Sequence, residues 1–386
     1  MPIITDTDTL TEFCERLKSA EYITVDTEFM REKTYWPILC LVQVAGPDEA
    51  RAIDALADGI DLTPLFDLMA DTSVLKVFHA ARQDLEIFFN LAGNLPHPVF
   101  DTQVAAMVCG FGDSVGYEAL VTQLVNASID KGSRFTDWTL RPLSERQVDY
   151  AMADVTHLRP AYEILAAKLH ANGREAWLNE EMAVLENNDT YNGNPNEAFR
   201  RIKTRNAKPR MLAILRELAA WRENEAQRRD VPRNRIIRDE SLLEVAHHAP
   251  KSPEQLARTR GLGDKLAHGN YGQQILDAVK KGLDVPDQDC PQPVLKPNLP
   301  RGLGPVMDLL KVLLKMKSED SEVASKLLAS AADIELIAAF GEDADVRALR
   351  GWRREVFGDD ALKLCNGELS LAVKGKKLKV FPTPDA

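Results

Sequence analysis

The sequence predicts an α/β domain followed by two small all-α modules. Short apolar strands alternate with helical patterns over roughly the first 200 residues, which is typical of a layered α/β structure. From about Lys208 onward, helix-spaced apolar residues dominate instead. A Pro-rich stretch, 284–302, cannot continue a helix and separates the two helical modules. We therefore expect domains at 1–200, 205–285 and 303–386, with a linker at 286–302.

The first domain contains both periodicities of an α/β structure. Strands are predicted at 22–29, 39–45, 50–55 and 74–78. After Gly116 the apolar spacing becomes helical, and its longest run, 144–169, begins at a Ser144–Gln147 capping box. Gly173 can end that run. The expected architecture is a sheet covered by helices.

The two helical modules share a weak internal repeat. DESLLEVA at Asp239 is echoed by DIELIAA at Asp333, and LARTRGL at Leu256 is echoed by VRALRGW at Val346. A repeat of this length indicates two copies of one small helical unit. Small helical bundles also serve as protein-docking or purely structural modules, and the sequence leaves those roles open.

The composition is that of an ordinary globular protein, with 45% hydrophobic and 28% charged residues. The five cysteines include no C-x-x-C pair, so we expect reduced, mostly structural thiols. No apolar run reaches the roughly eighteen residues that a membrane helix needs, and the N-terminus lacks an export signal. The sequence therefore predicts a cytoplasmic protein with no membrane partner.

The charge is distributed unevenly along the chain. The net charge is −11, which by itself disfavours a polyanionic ligand. Between Arg200 and Arg238, however, eleven Arg and two Lys face four acids, so this segment is +9 and the remainder is −20. Such a basic segment on an acidic body favours nucleic-acid binding.

Two acids lie close together on the first predicted strand. Asp26 and Glu28 are two residues apart in ITVDTEF, so both carboxylates point to one face of the strand. Two acids alone are more often part of a solvated strand face. The apolar neighbours Ile23 and Val25 indicate a buried strand instead, where unpaired carboxylates are costly.

Three further candidate residues follow along the chain. Asp84 opens a helical stretch after the strand LKVFHA, where an acid is also a common structural cap. Tyr150 lies one helical turn before Asp154, so the phenol and the carboxylate share one helix face. Alone, each is more often structural. Together, four acids from three elements can converge on two divalent cations about 4 Å apart, the arrangement for in-line phosphoryl displacement.

The order of these residues and their flanking strings resemble the DEDD exonuclease superfamily, and within it the ribonuclease D family. The matching strings are VDTEF at Val25, HAARQDLEIF at His79, FDTQVAA at Phe100, DWTLRPLSERQVDYAMADV at Asp137 and the two C-terminal repeats. The repeats resemble helicase-and-RNase-D C-terminal (HRDC) domains. The resemblance spans nearly the whole chain, and Tyr150 one turn before the last Asp assigns the tyrosine branch.

The resemblance implies a fold and an activity. The fold would be a ribonuclease-H-like exonuclease domain, with a mixed sheet flanked by helices, followed by two HRDC domains. The activity would be 3′→5′ exoribonuclease hydrolysis that releases nucleoside 5′-monophosphates. The resemblance also points to tRNA precursors and other small structured RNAs with a free 3′ end as substrates. It implies no small-molecule cofactor other than metal ions.

It also implies roles for the candidate residues. Two Mg²⁺ or Mn²⁺ ions, with Zn²⁺ or Co²⁺ as substitutes, would bind the four acids Asp26, Glu28, Asp84 and Asp154. One ion would make the nucleophile and the other would stabilise the leaving 3′ oxygen. Tyr150 would orient the attacking water, because a phenol with a pKa of about 10 is a poor general base at neutral pH.

Several residues are candidates for substrate contact. Phe29 could stack on terminal bases, although a core Phe is the more common case. His79 and Gln83 flank Asp84, and the basic junction offers Arg200, Arg201, Lys203 and Arg205, with Lys208 and Arg210. The junction could equally be a solvated, charged linker. For Trp138 and Arg141, in DWTLRPL, we favour a structural role that locks the loop.

Two other functions use the same sequence features. A DNA 3′→5′ exonuclease would need the same carboxylates, but polymerase motifs are absent and the paired C-terminal modules favour RNA. A non-catalytic nucleic-acid-binding protein that kept a nuclease fold is disfavoured because all five catalytic positions are occupied.

Overall fold

A computed structural model of the chain describes residues 3–133, 136–293 and 297–383. The chain divides into two compact units. The first contains the described residues of Met1–Glu28, Cys40–Asn187 and Asn298–Ala386, and the second contains those of Phe29–Leu39 and Asn188–Pro297. Parts of the expected domains and linker, namely 1–2, 134–135, 294–296 and 384–386, lie outside the described residues.

Within the described residues, five strands of the N-terminal half form one mixed sheet in the order β3-β2-β1-β4-β5. The strands are β1 Tyr22–Met30, β2 Ile38–Ala45, β3 Ala50–Asp54, β4 Leu75–Phe78 and β5 Val99–Asp101. β2 and β3 are antiparallel, whereas β1, β4 and β5 run parallel to one another. The predicted strands at 22–29, 39–45, 50–55 and 74–78 are thus confirmed.

Helices cover this sheet. They are α1 Thr7–Leu17, α2 Thr63–Ala70, α3 Arg82–Ala92, α4 Thr102–Val108, α5 Tyr117–Val125, α6 Glu145–Thr156, α7 Leu158–Ala171 and α8 Glu175–Leu185. The Ser144–Gln147 capping box forms as predicted. The single helix expected over 144–169 is wrong, because α6 and α7 meet at His157. Pro160 lacks the N–H that would bond to the Thr156 carbonyl, so the regular ladder is interrupted there.

The second unit is built around one long helix. Its helices are α9 Pro209–Arg228, α10 Arg233–Ile236, α11 Asp239–His248, α12 Pro253–Ala257, α13 Asp264–Ala267 and α14 Asn270–Asp284. Leu215, Leu218 and Ala219 of α9 are fully buried in the core of this unit. Among the described residues, no helix of the chain is long and apolar enough to cross a bilayer.

The C-terminal segment packs within the first unit. It comprises α15 Gly304–Asp320, α16 Ser325–Leu328, α17 Ala331–Phe340, α18 Gly351–Arg353 and α19 Asp359–Cys365, with a hairpin of β6 Leu369–Lys374 and β7 Lys377–Pro382. Trp352 stacks on Trp177 of α8 with ring centroids 4.2 Å apart and planes at 9°. The buried Arg353 guanidinium donates to Glu180 at 2.6 Å and also to Glu181. Stacking and charge pairing together hold this segment against α8.

Candidate active site

Three of the predicted carboxylates meet at one point of the first unit. Asp26, Glu28 and Asp154 each offer a carboxylate oxygen, and these oxygens all lie within 4.8 Å of one another. Asp26 and Glu28 share a face of β1 because side chains alternate along a strand. Asp154 comes from the last turn of α6. The strand and the helix therefore bring together residues that are more than 120 positions apart in sequence.

Asp84 lies next to this cluster. It is buried in the first turn of α3, and its carboxylate accepts a hydrogen bond from the Thr27 hydroxyl. Thr27 lies between Asp26 and Glu28 on β1. Successive side chains of a strand point to opposite faces, so the Thr27 side chain points away from the face that carries the two acids. The Asp84 carboxylate is nevertheless close enough to Asp26 for their charges to interact. Among the described residues, the group of carboxylates within 4.8 Å therefore consists of Asp26, Glu28 and Asp154, and Asp84 lies beside it.

Side-chain hydrogen bonds fix the elements that carry these acids. Thr24 on β1 donates to the Val155 carbonyl of α6 at 2.8 Å, one residue after Asp154. Thr24 is fully buried, so water does not compete for this bond. The bond anchors the end of α6 against the strand that carries Asp26. This hydrogen bond therefore fixes the position of Asp154 relative to Asp26.

A second anchor positions the helix that begins before Asp84. Both carboxylate oxygens of the buried Asp101 accept backbone N–H groups, from Ala80 and Ala81, at 2.9 Å. Ala80 has a φ of 60°, a left-handed conformation that is unfavourable for a residue with a Cβ. The Asp101 carboxylate offsets that cost by bonding the turn in place. Helix α3 begins directly after this backbone turn, and Asp84 lies in the first turn of the helix.

The electrostatics of the cluster are those of crowded, desolvated acids. Burial, and then the charge of Asp154, raises the pKa of Asp26 well above its ordinary value. Burial, and then the charge of Asp26, raises the pKa of Asp84 in the same way. Both causes disfavour the ionised form, so the fold holds these carboxylates at an energetic cost when no cation neutralises them.

Tyr150 lies beside the same cluster. Burial raises the pKa of its phenol, and the neighbouring charges of Asp154, Glu28 and Asp26 raise it further. A hydrogen bond between Tyr150 and Asp154 adds to the shift. The phenol is therefore protonated at neutral pH and is able to donate or accept a hydrogen bond, but not to serve as a phenolate base.

The cluster fits divalent metal ions. Its donor set is made only of carboxylate oxygens, which Mg²⁺ and Mn²⁺ prefer as ligands. The raised pKa values of Asp26 and Asp84 indicate stored repulsion that a cation would relieve. The residues present thus match the chemistry of a metal site.

Sequence reasoning missed three residues that support this cluster. Thr27 and Asp101 act through the hydrogen bonds described above. The Tyr117 hydroxyl donates to the Ala153 carbonyl at 3.0 Å, directly before Asp154. The charges of Asp154 and Asp26 add to burial in raising the pKa of the Tyr117 phenol, so it lies near both acids. Thr27 and Asp101 lie within the matching strings VDTEF and FDTQVAA but are not singled out there, and Tyr117 lies in none of the matching strings.

The other candidate contacts have varied surroundings. His79 bonds Thr102 through Nδ1 at 3.0 Å, and its buried Nε2 has no hydrogen-bond partner among the described residues. Burial lowers the pKa of His79, which keeps the ring neutral. Gln83 is exposed on α3, and Phe29 is half-buried on β1.

The loop that contains Trp138 and Arg141 is locked as expected. The Arg141 guanidinium forms two 2.6 Å hydrogen bonds with the Asp54 carboxylate, and it also donates to the carbonyls of Trp138 and Cys40. Trp138 is buried. Both residues therefore have structural roles in this loop.

The basic segment of the second unit is partly used by the fold itself. Arg210 donates to the Gly282 and Leu283 carbonyls at the end of α14, at 3.1 and 2.9 Å. A guanidinium at a helix C-terminus satisfies carbonyls that have no helical partner. Exposed positions remain at Arg200, Arg201, Lys203 and Arg205. Arg200, Lys203 and Arg205 line one groove.

Two family models match the chain. One, described as a 3′-5′ exonuclease, matches residues 1–170. The other, described as an HRDC domain, matches residues 211–279. The chain therefore contains an exonuclease domain, whose mixed sheet is flanked by helices, and an HRDC domain.

Relatives match over nearly the full length. A ribonuclease D of Nitrobacter hamburgensis is 51% identical over 381 residues, which cover 98% of this chain and 99% of the relative. A ribonuclease D of Granulibacter bethesdensis is 50% identical over 382 residues, covering 99% and 96%. The crystal structure of Escherichia coli RNase D, described as an exoribonuclease involved in structured RNA processing, superposes with a TM-score of 0.80 at 32% identity, covering 95% of this chain and 98% of that one.

The fold, the acidic cluster and the family model together define a 3′–5′ exonuclease. The full-length similarity identifies the particular group. The chain belongs to the ribonuclease D family.

Proposed function

We propose that this 3′–5′ exoribonuclease hydrolyses the terminal phosphodiester of RNA at a site formed by Asp26, Glu28, Asp84 and Asp154. The observation that carries the proposal is the convergence of three carboxylate oxygens within 4.8 Å, with Asp84 near enough for the charge of Asp26 to raise its pKa. Four acids so arranged suit divalent cations and a phosphate group, whereas without cations they would repel both each other and an RNA strand.

The proposed cofactors are two Mg²⁺ or Mn²⁺ ions, held by the same four carboxylates. When bound, divalent ions supply an activated water and stabilise negative charge on the leaving oxygen. The chain contributes positions: β1 presents Asp26 and Glu28, α6 presents Asp154, and the bond from Thr24 holds the two elements together. Tyr150 would orient the attacking water through its protonated hydroxyl. We therefore assign Tyr150 an orienting role rather than that of a base.

The proposed products are nucleoside 5′-monophosphates released singly from a free 3′ end. Recognition of a phosphodiester by cations carries no base information, so we expect little sequence preference. For the physiological substrate we propose tRNA precursors and other small structured RNAs. The support is family membership and the structured-RNA processing attributed to the Escherichia coli relative. A cytoplasmic location remains the expectation.

We also propose that 303–386 is a divergent second HRDC domain. The echoed strings at Asp239 and Asp333 lie on α11 and α17, which are both ten-residue helices that follow a long one. The proposed boundaries remain 1–200, 205–285 and 303–386, with 286–302 as linker. For contacts with the RNA we propose the seven residues named from sequence: Phe29, His79, Gln83, Arg200, Arg201, Lys203 and Arg205.

The proposal is tested by a time course on matched RNA and DNA oligomers with a 3′ extension. With Mn²⁺ or Mg²⁺, the wild-type chain should shorten the RNA in single-nucleotide steps, and chelator should stop the reaction. Asp154→Asn should lower kcat by roughly 10²-fold or more, because a ligand and its charge are lost where the reaction is stabilised electrostatically.

Each alternative function has its own result in this assay. Faster hydrolysis of the DNA oligomer would assign a DNA exonuclease. No hydrolysis of either oligomer with added Mn²⁺ would indicate a nucleic-acid-binding protein without activity. An Asp154→Asn variant as active as the wild type would remove the carboxylates from the mechanism.

A further inference from the structure

The β6–β7 hairpin of the first unit has two unlike faces. Residues paired across antiparallel strands share a face, and side chains alternate between the faces along each strand. One face is apolar and comprises Leu369, Leu371, Val373, Leu378, Val380 and Pro382. The other, here called the lysine face, comprises Ser370, Ala372, Lys374, Lys377, Lys379 and Phe381. Leu371 and Val380 pack against the core of the C-terminal segment, so the lysine face points outward.

Three positive charges are concentrated on the lysine face. Lys374 and Lys377 are paired directly across the hairpin, where Cβ atoms lie about 5 Å apart. Lys379 is the diagonal neighbour of Lys374, at roughly 7–8 Å. Like charges in these positions destabilise a sheet, so the stability of the hairpin does not explain the arrangement. A polyanion bound across the face would remove the repulsion.

Neighbouring acids do not balance this charge. The segment 374–379 contains four lysines and no acid, in a chain whose net charge is −11. All four lysines are exposed, and no carboxylate of the described residues forms an ion pair with any of them. Acids that precede the hairpin are engaged elsewhere, since Asp360 pairs with Lys317 and Glu368 accepts a hydrogen bond from Asn366. The lysines are therefore available to an external anion.

An aromatic ring lies on the same face. Phe381 is 37% exposed, and its cross-strand partner is Ser370, whose side chain is too small to cover the ring. Lysines are also common on the edges of sheets, where they prevent pairing with other chains. That role needs no exposed aromatic ring beside the lysines, so the combination indicates a binding surface.

The chemistry of the lysine face suits single-stranded RNA. Ammonium groups bind backbone phosphates without reading the sequence, and an exposed aromatic ring stacks on an unpaired base. We propose that the lysine face of the hairpin binds a single-stranded part of the RNA substrate, outside the catalytic cluster. The proposal rests on the RNA substrate of the proposed function.

The test measures binding of an unstructured RNA oligomer by the full chain in chelator, where hydrolysis does not interfere. The variant Lys374→Gln/Lys377→Gln/Lys379→Gln removes the three charges of the lysine face. The matched control removes the same charge from exposed positions on the helices of the same segment. It is Lys311→Gln/Lys315→Gln/Lys326→Gln.

We expect the hairpin variant to raise the Kd for the oligomer about ten-fold, because several phosphate contacts are lost. The slope of log Kd against log salt should fall by about two, since each contact with a single strand contributes roughly 0.7. The control should change Kd by less than about two-fold, because isolated surface charges contribute little. At low salt the hairpin variant should melt at or above the wild-type Tm, because the repulsion is gone.

Two substitutions at Phe381 test the stacking surface. Phe381→Leu keeps an apolar side chain without a ring, and it should raise the Kd about five-fold. Phe381→Tyr keeps the ring and should stay within about two-fold of the wild type. Equal effects of the two substitutions would contradict stacking on this residue.

Four results would overturn the proposal. Equal losses in the hairpin variant and the lysine control would indicate a general charge effect. A hairpin variant with a lower Tm than the wild type would assign the lysines to stability. Lysine-dependent binding to vesicles of phosphatidylcholine and phosphatidylserine, with RNA binding unchanged, would assign a membrane surface. Failure of the wild type to bind the oligomer would exclude RNA contact.

Failure of the proposed function is a separate result. It would appear as missing hydrolysis with Mn²⁺, while RNA binding in chelator would still depend on the lysine face.

Discussion

Asp26 is placed where a carboxylate is least stable on its own. It follows the fully buried Val25 on β1 and lies beside Asp154, so desolvation and repulsion act in the same direction. Asp84 experiences the same two effects from its position near Asp26. Both effects lower the stability of the metal-free chain, and a bound cation would offset them.

This arrangement predicts a pH dependence of stability in chelator. An acid whose pKa is raised in the folded state holds its proton more tightly when folded, so its stabilising contribution is present below the unfolded pKa and is lost as pH rises through the folded pKa. Both Asp26 and Asp84 start from an ordinary pKa of 3.8. We expect the wild-type Tm to fall, as pH rises above about 4, relative to Asp26→Asn/Asp84→Asn.

Thermal melting in chelator across this pH range is the measurement. The amide variant is the control, since its side chains do not titrate. Melting curves that stay parallel at all pH values would contradict the burial and repulsion assigned to these two acids.

At the scale of single residues, much of the site could be predicted, because the spacing of these residues along the sequence shows which side chains share a face. The two-residue period of a strand pairs Asp26 with Glu28, and one helical turn pairs Tyr150 with Asp154. The close approach of the two pairs depends on tertiary packing, for which the family resemblance supplied the expectation. Thr27 and Tyr117 support the acids through single hydrogen bonds, and such bonds leave no periodic signal in a sequence.

At the scale of elements, the strands with clear apolar runs were predicted well and the short or interrupted elements were not. β5 has three residues, too few for an alternation to be recognised. The predicted helix 144–169 is two helices, because an apolar spacing that continues across Pro160 conceals the lost hydrogen bond. Periodicity reports which face is buried, and it is less sensitive to a break in the backbone.

The contact between α9 and α14 gives a prediction at this scale. A Cβ added to Gly282 would lie 2.4 Å from the Cα of Ile214, closer than atoms can approach without a backbone shift. Gly282→Ala should therefore lower the free energy of unfolding by about 1–3 kcal/mol, as overpacked cores do.

Gly304→Ala is the matched control. Gly304 begins α15, and an added Cβ there meets nothing within 4 Å. This change should be neutral or stabilising by up to about 1 kcal/mol, because Ala is the better helix former. Urea denaturation of both variants compares them, and equal effects would refute close packing at Gly282.

At the scale of the molecule, the sequence did not predict which segments of the chain make up each of the two units. Residues 29–39 belong with the helical unit, and 298–383 belong with the nuclease sheet, although each is adjacent in sequence to other parts. Unit membership depends on packing contacts such as the stacked pair Trp177–Trp352, whose partners are far apart in sequence.

The attachment of the C-terminal segment predicts a large effect of one substitution. Arg353 is 2% exposed and pairs with Glu181, whose side chain is 11% exposed. Arg353→Met should lower the free energy of unfolding by about 1–3 kcal/mol, because Glu181 would keep only the half-exposed Arg347 as its partner.

Arg350→Met provides the comparison for this substitution. Arg350 and its partner Asp345 are 69% and 85% exposed, so their pair should contribute less than about 1 kcal/mol. Urea denaturation followed by tryptophan fluorescence measures both. If the two variants were equally stable, the buried pair would not be what attaches this segment.

Under the proposed function, Asp26, Glu28, Asp84 and Asp154 together bind divalent cations, and calorimetric titration of the metal-free chain with Mn²⁺ measures that binding. We expect saturable binding of two ions per wild-type chain, with at least one of them lost in Asp154→Asn. Heat changes that are absent in the wild type, or identical in the wild type and in Asp154→Asn, would contradict it.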